Sequence, residues 1–140
     1  MMIPPVSHYM TPNPYAVGSR DLLSDARSLM QLNRIHQLPV IDDDKLVGIV
    51  SDRDLPSCLT DDRVADVMTC DVATVTPGAP LDEVVTLMEA GRLGSVVVAS
   101  EHGVEGIFTV TDALHVFAQF LSGTRIICGD SRSPRAAVRR

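Results

Sequence analysis

Displaced by 58 residues, the chain matches itself without a gap. Met10-Thr11 falls on Met68-Thr69, Val17 on Val75, Leu23 on Leu81, and Leu29-Met30 on Leu87-Met88. The same register aligns Arg34 with Arg92, Val40 with Val98, Gly48-Ile49 with Gly106-Ile107, and Asp54 with Asp112. These eleven identities fall in 45 consecutive aligned positions, from residue 10 to residue 54. One unbroken register over that length marks a tandem duplication. A single copy of about 55 residues buries too little surface to be comfortable alone. Two copies that pack together solve that problem, so any fold for this chain must join two like halves.

Each copy has the same order of elements. A short extended piece, Tyr15-Ala16-Val17 or Ala73-Thr74-Val75, runs into turn residues at Gly18-Ser19 or Pro77-Gly78. A helix follows, with Leu22, Leu23, Ala26, Leu29, Met30 and Asn33 at helical spacing,. Its counterpart carries Leu81, Val84, Val85, Leu87 and Met88. Two β-branched runs come next in each copy, Leu38–Ile41 with Leu46–Val50, then Ser95–Val98 with Val104–Phe108. Short polar connections at 42–45 and 100–103 predict hairpins. A closing helix starts near Asp52 in one copy and Thr111 in the other, where Ala113–Leu121 is amphipathic and Gly123 offers a stop,. Pro56 removes a hydrogen bond from the first closing helix, which should be short or kinked,. The expected fold is α/β (α+β): two β-α-β-β-α repeats related by a pseudo-twofold, sheets packed together, with two equivalent clefts at the junction. The expected boundaries are repeat 1 at 6–59, a linker at 60–66, repeat 2 at 67–122, and a flexible basic tail at 123–140.

Composition narrows the function classes. Apolar residues make up 45% of the 140, enough for a real core,. Two tyrosines, three phenylalanines and no tryptophan give few platforms for stacking bases,. The net charge is −6, yet the stretch after residue 124 holds five arginines and one aspartate. That makes the tail +4 and the remainder −10, and an acidic body argues against a broad nucleic-acid footprint,. No apolar run reaches the roughly 18 residues of a bilayer span, and MMIPPVSHYM lacks a signal peptide's features,. Cys58, Cys70 and Cys128 are odd in number and show no metal or redox spacing,. These traits predict a cytoplasmic protein with no membrane partner.

Both copies end their last strand on the same phrase, Gly48-Ile-Val-Ser51-Asp-Arg53-Asp54 and Gly106-Ile-Phe-Thr109-Val-Thr111-Asp112. Taken singly, Ser/Thr-x-x-Asp before a helix is a capping box. A functional reading coexists with it. A helix start offers free amides and positive potential to a phosphate, the hydroxyl adds a hydrogen bond, and the aspartate can accept hydrogen bonds from a ribose diol. Arg53 adds a bidentate phosphate donor.

The duplicated phrase, with Ile35–Asp54 reading IHQLPVIDDDKLVGIVSDRD, resembles a tandem pair of CBS domains, modules named after cystathionine β-synthase. The resemblance covers about residues 6–121 and is nearest to the small stand-alone bacterial pairs, including acetoin-utilisation accessory proteins. It implies a non-enzymatic regulatory or energy-sensing module that binds AMP, ADP or ATP, or less often S-adenosylmethionine, NAD or a cyclic dinucleotide. It places ribose and phosphate contacts on Ser51, Arg53, Asp54, Thr109, Thr111 and Asp112. The enclosing wall falls on Met10, Tyr15, His36, Gln37, Met68, Ala73, Gly94 and Ser95. Repeat 2 departs from the family pattern where Gly94-Ser95 are small and Thr111 replaces an arginine, which favours the Asp54 cleft for charged phosphates. A disc-like homodimer acting on a protein target is implied as well, with helix faces including Val116, Phe117 and Phe120 in contact.

Other readings compete at particular residues. Tyr15 serves packing as readily as stacking, and a strand-edge His36 is as readily a structural residue. His8, His102 and His115 are too scattered for a metal site, and Asp42-Asp43-Asp44 lacks the alternating ligands of a calcium loop,. No nucleophile–base arrangement, Walker loop or dinucleotide fingerprint appears, so no catalytic residue, catalytic cofactor or metal is expected. Two alternatives remain open for the whole chain. One is a docking or dimerisation module with no ligand; the other is a redox or nucleic-acid accessory acting through Cys128 or the arginine tail.

Overall fold

A computed structural model describes residues 2–56 and 61–124. Two long helices follow the apolar periodicity. Helix α1 (Leu23–Asn33) buries Leu23, Ala26 and Met30, and α3 (Leu81–Gly91) buries Leu81, Val84 and Met88. Spacings of three and four residues put each triplet on one stripe. Both helices end on an arginine in the left-handed conformation, Arg34 and Arg92, each at φ 54°.

A hairpin follows each helix. Strands β2 (Gln37–Asp42) and β3 (Lys45–Ser51) are antiparallel, as are β5 (Ser95–Ser100) and β6 (Gly103–Thr109). Asp43 and Asp44, at φ 49° and 65°, form the first two-residue turn; positive φ at both positions suits the right-handed strand twist,. In the second hairpin the positive φ moves to Gly103, at 106°. Each ladder slips at the same place, between Val40 and Ile41 and between Val98 and Ala99. Repeat 2 extends its ladder on both sides, by β4 (Thr74–Val75) parallel to β5 and β1 (Thr11–Pro12) antiparallel to β6. In repeat 1 single bridges stand there, Val17 to Val40 and Thr69 to Ile49.

The segment flanking the last strand of each hairpin is the one that precedes the other repeat. Val6 N donates to the carbonyl of Ala79, Ser7 N to Pro77, and Leu81 N to Pro4. At the equivalent places Val64 N donates to Asp21 O, Ala65 N to Ser19 O, and Leu23 N to Asp62 O. Side chains follow the backbone. Val6, fully buried, belongs to the core of Leu81, Val84, Val96, Val98 and Phe108, with Tyr9 and Met10 against it. Val64, also fully buried, belongs to the core of Leu23, Ala26, Leu38, Val40 and Val50, with Val67 and Met68 against it. The two halves therefore exchange their leading segments, and neither core is complete without residues from the far half.

The exchange explains two glycines. A Cβ on Gly106 would collide with the sulfur of Met10 and lie 2.8 Å from the carbonyl oxygen of Thr11. A Cβ on Gly48 would lie 2.7 Å from the sulfur of Met68 and 3.0 Å from the oxygen of Thr69. The incoming strand needs that space.

Several expectations shift. The stretch 60–66 is more than a linker, because α2 (Val64–Val67) begins in it and Val64 is a core residue. The closing element of repeat 1 is a 3-10 turn over Asp52–Asp54, after which Leu55 is extended. Helix α4 (Val110–Thr124) runs through Gly123 instead of stopping before it, and a Cβ there would meet nothing within 4 Å. Val116 packs inward on the repeat 2 core, while Phe117 is 55% exposed. Cys58, Cys128 and the arginines of the tail lie outside the described residues.

Candidate functional site

Exchange of the leading segments creates two related junctions. After leaving β6 at Pro12, the chain crosses to repeat 1, where Val17 bridges Val40. After leaving Ile49 at Thr69, it crosses back to join β5 as β4. The first crossing carries Tyr15, exposed, and the second carries Ala73, half-buried against the repeat 2 core. Met10 and Met68 sit at the roots of these crossings, over Gly106 and Gly48.

The two aspartates close their own turns. Asp54 Oδ2 accepts from the Ser51 amide at 2.8 Å and the Ser51 hydroxyl at 3.0 Å. Asp112 Oδ2 accepts from the Thr109 amide at 2.9 Å and the Thr109 hydroxyl at 3.1 Å, and the Asp112 amide returns a bond to Thr109 Oγ1 at 3.2 Å. The capping geometry read from the sequence is thus formed in both copies. It takes one carboxylate oxygen of each aspartate.

The second oxygen differs between copies. Asp112 Oδ1 accepts from the Thr11 hydroxyl at 3.3 Å, a bond made by the segment exchanged onto β6. At Asp54 the corresponding residue is Thr69, and no such bond joins them. Among the described residues Asp54 Oδ1 has no hydrogen-bond partner. Thr11 and Thr69 were not among the site residues expected from sequence, although the duplicated Met-Thr pair that helped reveal the repeat marks both.

Gln37 and Ser95 are equivalent positions in the two copies, and they meet. The Ser95 hydroxyl donates to Gln37 Oε1 at 2.7 Å, and Ser95 is buried. The Gln37 amide nitrogen fills the space where a Cβ on Gly94 would stand. The small Gly94-Ser95 pair is therefore where a long side chain from the other repeat lies. His36 Nδ1 sits 2.7 Å from Asp52 Oδ2, with both side chains substantially exposed. Arg53 and Thr111 are exposed on the first turns after Ser51 and Thr109. Among the described residues no carboxylate is within ion-pair distance of Arg53. His, Cys, Asp and Glu form no metal-holding cluster among the described residues.

One carboxylate is tuned by its hydrogen bonds, and it lies away from the clefts. Asp42 accepts from the Ser19 hydroxyl at 2.5 Å and from the Ser19 amide at 2.9 Å. The hydroxyl bond first and the amide bond second hold its pKa below the ordinary value of 3.8, against a small opposing effect of burial,. No helix among the described residues is long and apolar enough to cross a membrane.

A duplicated β-α-β-β-α unit with exchanged leading strands and an aspartate-capped turn beside each junction defines a class of paired-repeat α/β module. The family model of the CBS domain matches residues 6–59 and 64–119, and the chain belongs to this family as a tandem pair. Among curated relatives, an inosine-5'-monophosphate dehydrogenase of Nitrosopumilus maritimus is 36% identical over 105 residues, which is 74% of this chain and 22% of that protein. The chain thus spans about a fifth of the curated relatives it matches first. Solved structures match over nearly their full length. A protein of Vibrio cholerae assigned to acetoin utilization (AcuB) superposes with a TM-score of 0.78 at 30% identity, over 86% of this chain and 95% of that one. CBSX2, a CBS-pair protein of Arabidopsis thaliana solved in complex with AMP, gives 0.74 at 27%, over 84% and 98%. The CBS domain pair of protein MJ0100, in complex with 5'-methylthioadenosine and S-adenosyl-L-methionine, gives 0.79 at 25%, over 85% and 99%.

Proposed function

We propose that this protein is a non-enzymatic regulatory module that binds an adenosine ligand, and that the Asp54 cleft is its working site. The observation that carries this reading is the difference between the two carboxylates. Asp112 has both oxygens engaged by Thr109 and Thr11, whereas Asp54, among the described residues, keeps one oxygen for ribose hydroxyls. Ser51 and the exposed Arg53 stand on the same turn to meet phosphate, and Thr111 replaces that arginine in repeat 2. Met68, Ala73, His36 and Gln37 would wall the Asp54 cleft; Met10, Tyr15, Gly94 and Ser95 belong to the other. Two solved relatives of this fold carry AMP or methylthioadenosine with S-adenosylmethionine, which supports the ligand class. A ligand shared by two such halves would stiffen the junction and alter how the surface meets a protein target.

Self-association of two pairs in the cytoplasm belongs to the same proposal. Val110, Leu114 and Phe117 form an exposed apolar stripe along α4, with Leu114 62% exposed,. Sedimentation at micromolar concentration should show a dimer.

Thermal unfolding against AMP, ADP, ATP, S-adenosylmethionine, NAD and a cyclic dinucleotide tests the ligand. A compound at about a hundred times its Kd adds roughly 2.7 kcal/mol. Asp54→Asn, which keeps a cap acceptor, should remove half of the rise or more, and Asp112→Asn should leave most of it. No rise with any compound would favour the second reading, a docking module without ligand. The observation behind that reading is that both aspartates already serve as caps within the chain.

A further inference from the structure

We infer a second binding site, for a small organic anion, in a groove of repeat 1 that borders the Asp54 cleft at His36 but takes its arginines, Arg27 and Arg34, from α1 and its C-terminal cap. The groove encloses about 530 Å³, within the roughly 300–1,000 Å³ of small-molecule sites,. It runs between the C-terminal half of α1 and the 3-10 turn with Leu55 and Pro56 behind it. Met30, Ile35 and Leu55 give it an apolar wall. Arg27, Arg34 and His36 stand around that wall, and Asp52 is the one acid that lines it.

The charge is unusual for this molecule. The chain carries −6 overall, and −10 before the tail, yet two arginines line this groove. The lone acid is already bound to His36 at 2.7 Å. Arg27 gives one N–H to the carbonyl of Pro56, which orients its guanidinium and leaves further donors,. Arg34 makes no side-chain bond among the described residues. It holds the left-handed position at the end of α1, where glycine or asparagine would be the easy choice,. An arginine there complements the helix dipole, as does Arg92 in repeat 2, but the surroundings of the two differ.

Repeat 2 serves as an internal control. The positions equivalent to Arg27, Gln31, His36 and Asp52 are Val85, Glu89, Gly94 and Val110. There the cation becomes apolar, the amide becomes acidic, and α4 lays Ala113 and Val116 on the core. The fold alone therefore does not require a cationic groove. Its chemistry fits an anion on a compact apolar body, such as an aromatic carboxylate or a phosphate monoester, with the guanidinium groups of Arg27 and Arg34 taking the charged end.

The test is a titration of the full-length protein with phenyl phosphate and, separately, benzoate, followed by two-dimensional amide NMR. Shifts should concentrate at residues 27–34 and at Leu55, and stay small at Arg53 and Asp54. Response to both probes assigns a general organic-anion site; response to one assigns the phosphate monoester or the carboxylate. Arg34→Gln removes a side chain with no structural bond and should weaken binding about tenfold or more. Asp54→Asn should leave it unchanged, which separates this site from the nucleotide cleft. No shift at these amides at millimolar probe, equal affinity in Arg34→Gln, or loss of binding in Asp54→Asn would each overturn the inference.

Discussion

The two repeats are near-copies in backbone and unlike in what the backbone carries. Their helices bury the same triplet, their hairpins slip at the same rung, and their exchanged segments make the same three backbone bonds. Side chains then diverge at the places that face ligand or solvent. Repeat 2 has Phe108 where repeat 1 has Val50, and a long α4 where the described residues of repeat 1 hold one 3-10 turn. It closes its aspartate with Thr11, while Asp54 is half-engaged among the described residues. Repeat 2 carries the bulkier buried side chain and the engaged aspartate. Repeat 1 keeps its polar groups and cations accessible. Duplication conserved the frame because both halves must receive the same exchanged strand, and it left the open positions free to specialise.

The largest test of that contrast lies in the cores. Phe108→Ala should cost about 3–5 kcal/mol, whereas Val50→Ala at the equivalent position removes two carbons and should cost about 2 kcal/mol,. Urea unfolding of both variants measures the gap, and equal losses would break the idea that Phe108 makes repeat 2 the half more dependent on one large side chain. Next comes the ligand. Asp54→Asn should lower nucleotide affinity by about 1.5–3 kcal/mol in calorimetry, the worth of a hydrogen bond to a charged group. Asp112→Asn should lower it by less, and Arg53→Ala should reduce the preference for charged phosphates.

Third, Gly106→Ala should destabilise by about 1–3 kcal/mol, and Gly48→Ala by less. The added methyl in repeat 2 meets the Thr11 carbonyl 0.2 Å closer than its counterpart meets Thr69. Thermal unfolding of both variants orders them. The smallest effect concerns Asp42, whose place in repeat 2 is taken by Ser100. Its folded pKa is depressed, so its contribution is fully present above the ordinary value of 3.8 and is lost as pH falls through the folded value,. Thermal midpoints from pH 5 down to pH 2.5 should fall less steeply in Asp42→Asn than in the parent.

Much of the frame was legible because its signals are local. Leu23, Ala26 and Met30 announce a helix by spacing, and Asp43-Asp44 announces a turn by chemistry. The capping phrases were legible for the same reason, since Ser51 and Asp54 lie three residues apart. Two things were not. Val6 and Val64 look like ordinary leading residues of their own repeats, yet each completes the opposite core. The groove beside Arg34 was hidden too, because its lining comes from α1 and from residues 52–56, brought together only by packing.

From the residues alone follow the duplication, the element order, the aspartate caps and the membership that these imply. Such features depend on neighbours within a turn of helix or a hairpin, or on likeness between two stretches of one string. Tertiary structure alone decided which half each leading segment joins, why a side chain at Gly48 or Gly106 would crowd the incoming strand, and which aspartate is left with an unengaged oxygen among the described residues. The physical reason is that a period-two or helical pattern states which face of an element is apolar, but not which core will cover it. In a chain of two like halves, either core would accept Val6 by pattern. The backbone bonds from Val6 and Ser7 to Ala79 and Pro77, with their counterparts at Val64 and Ala65, settle the choice.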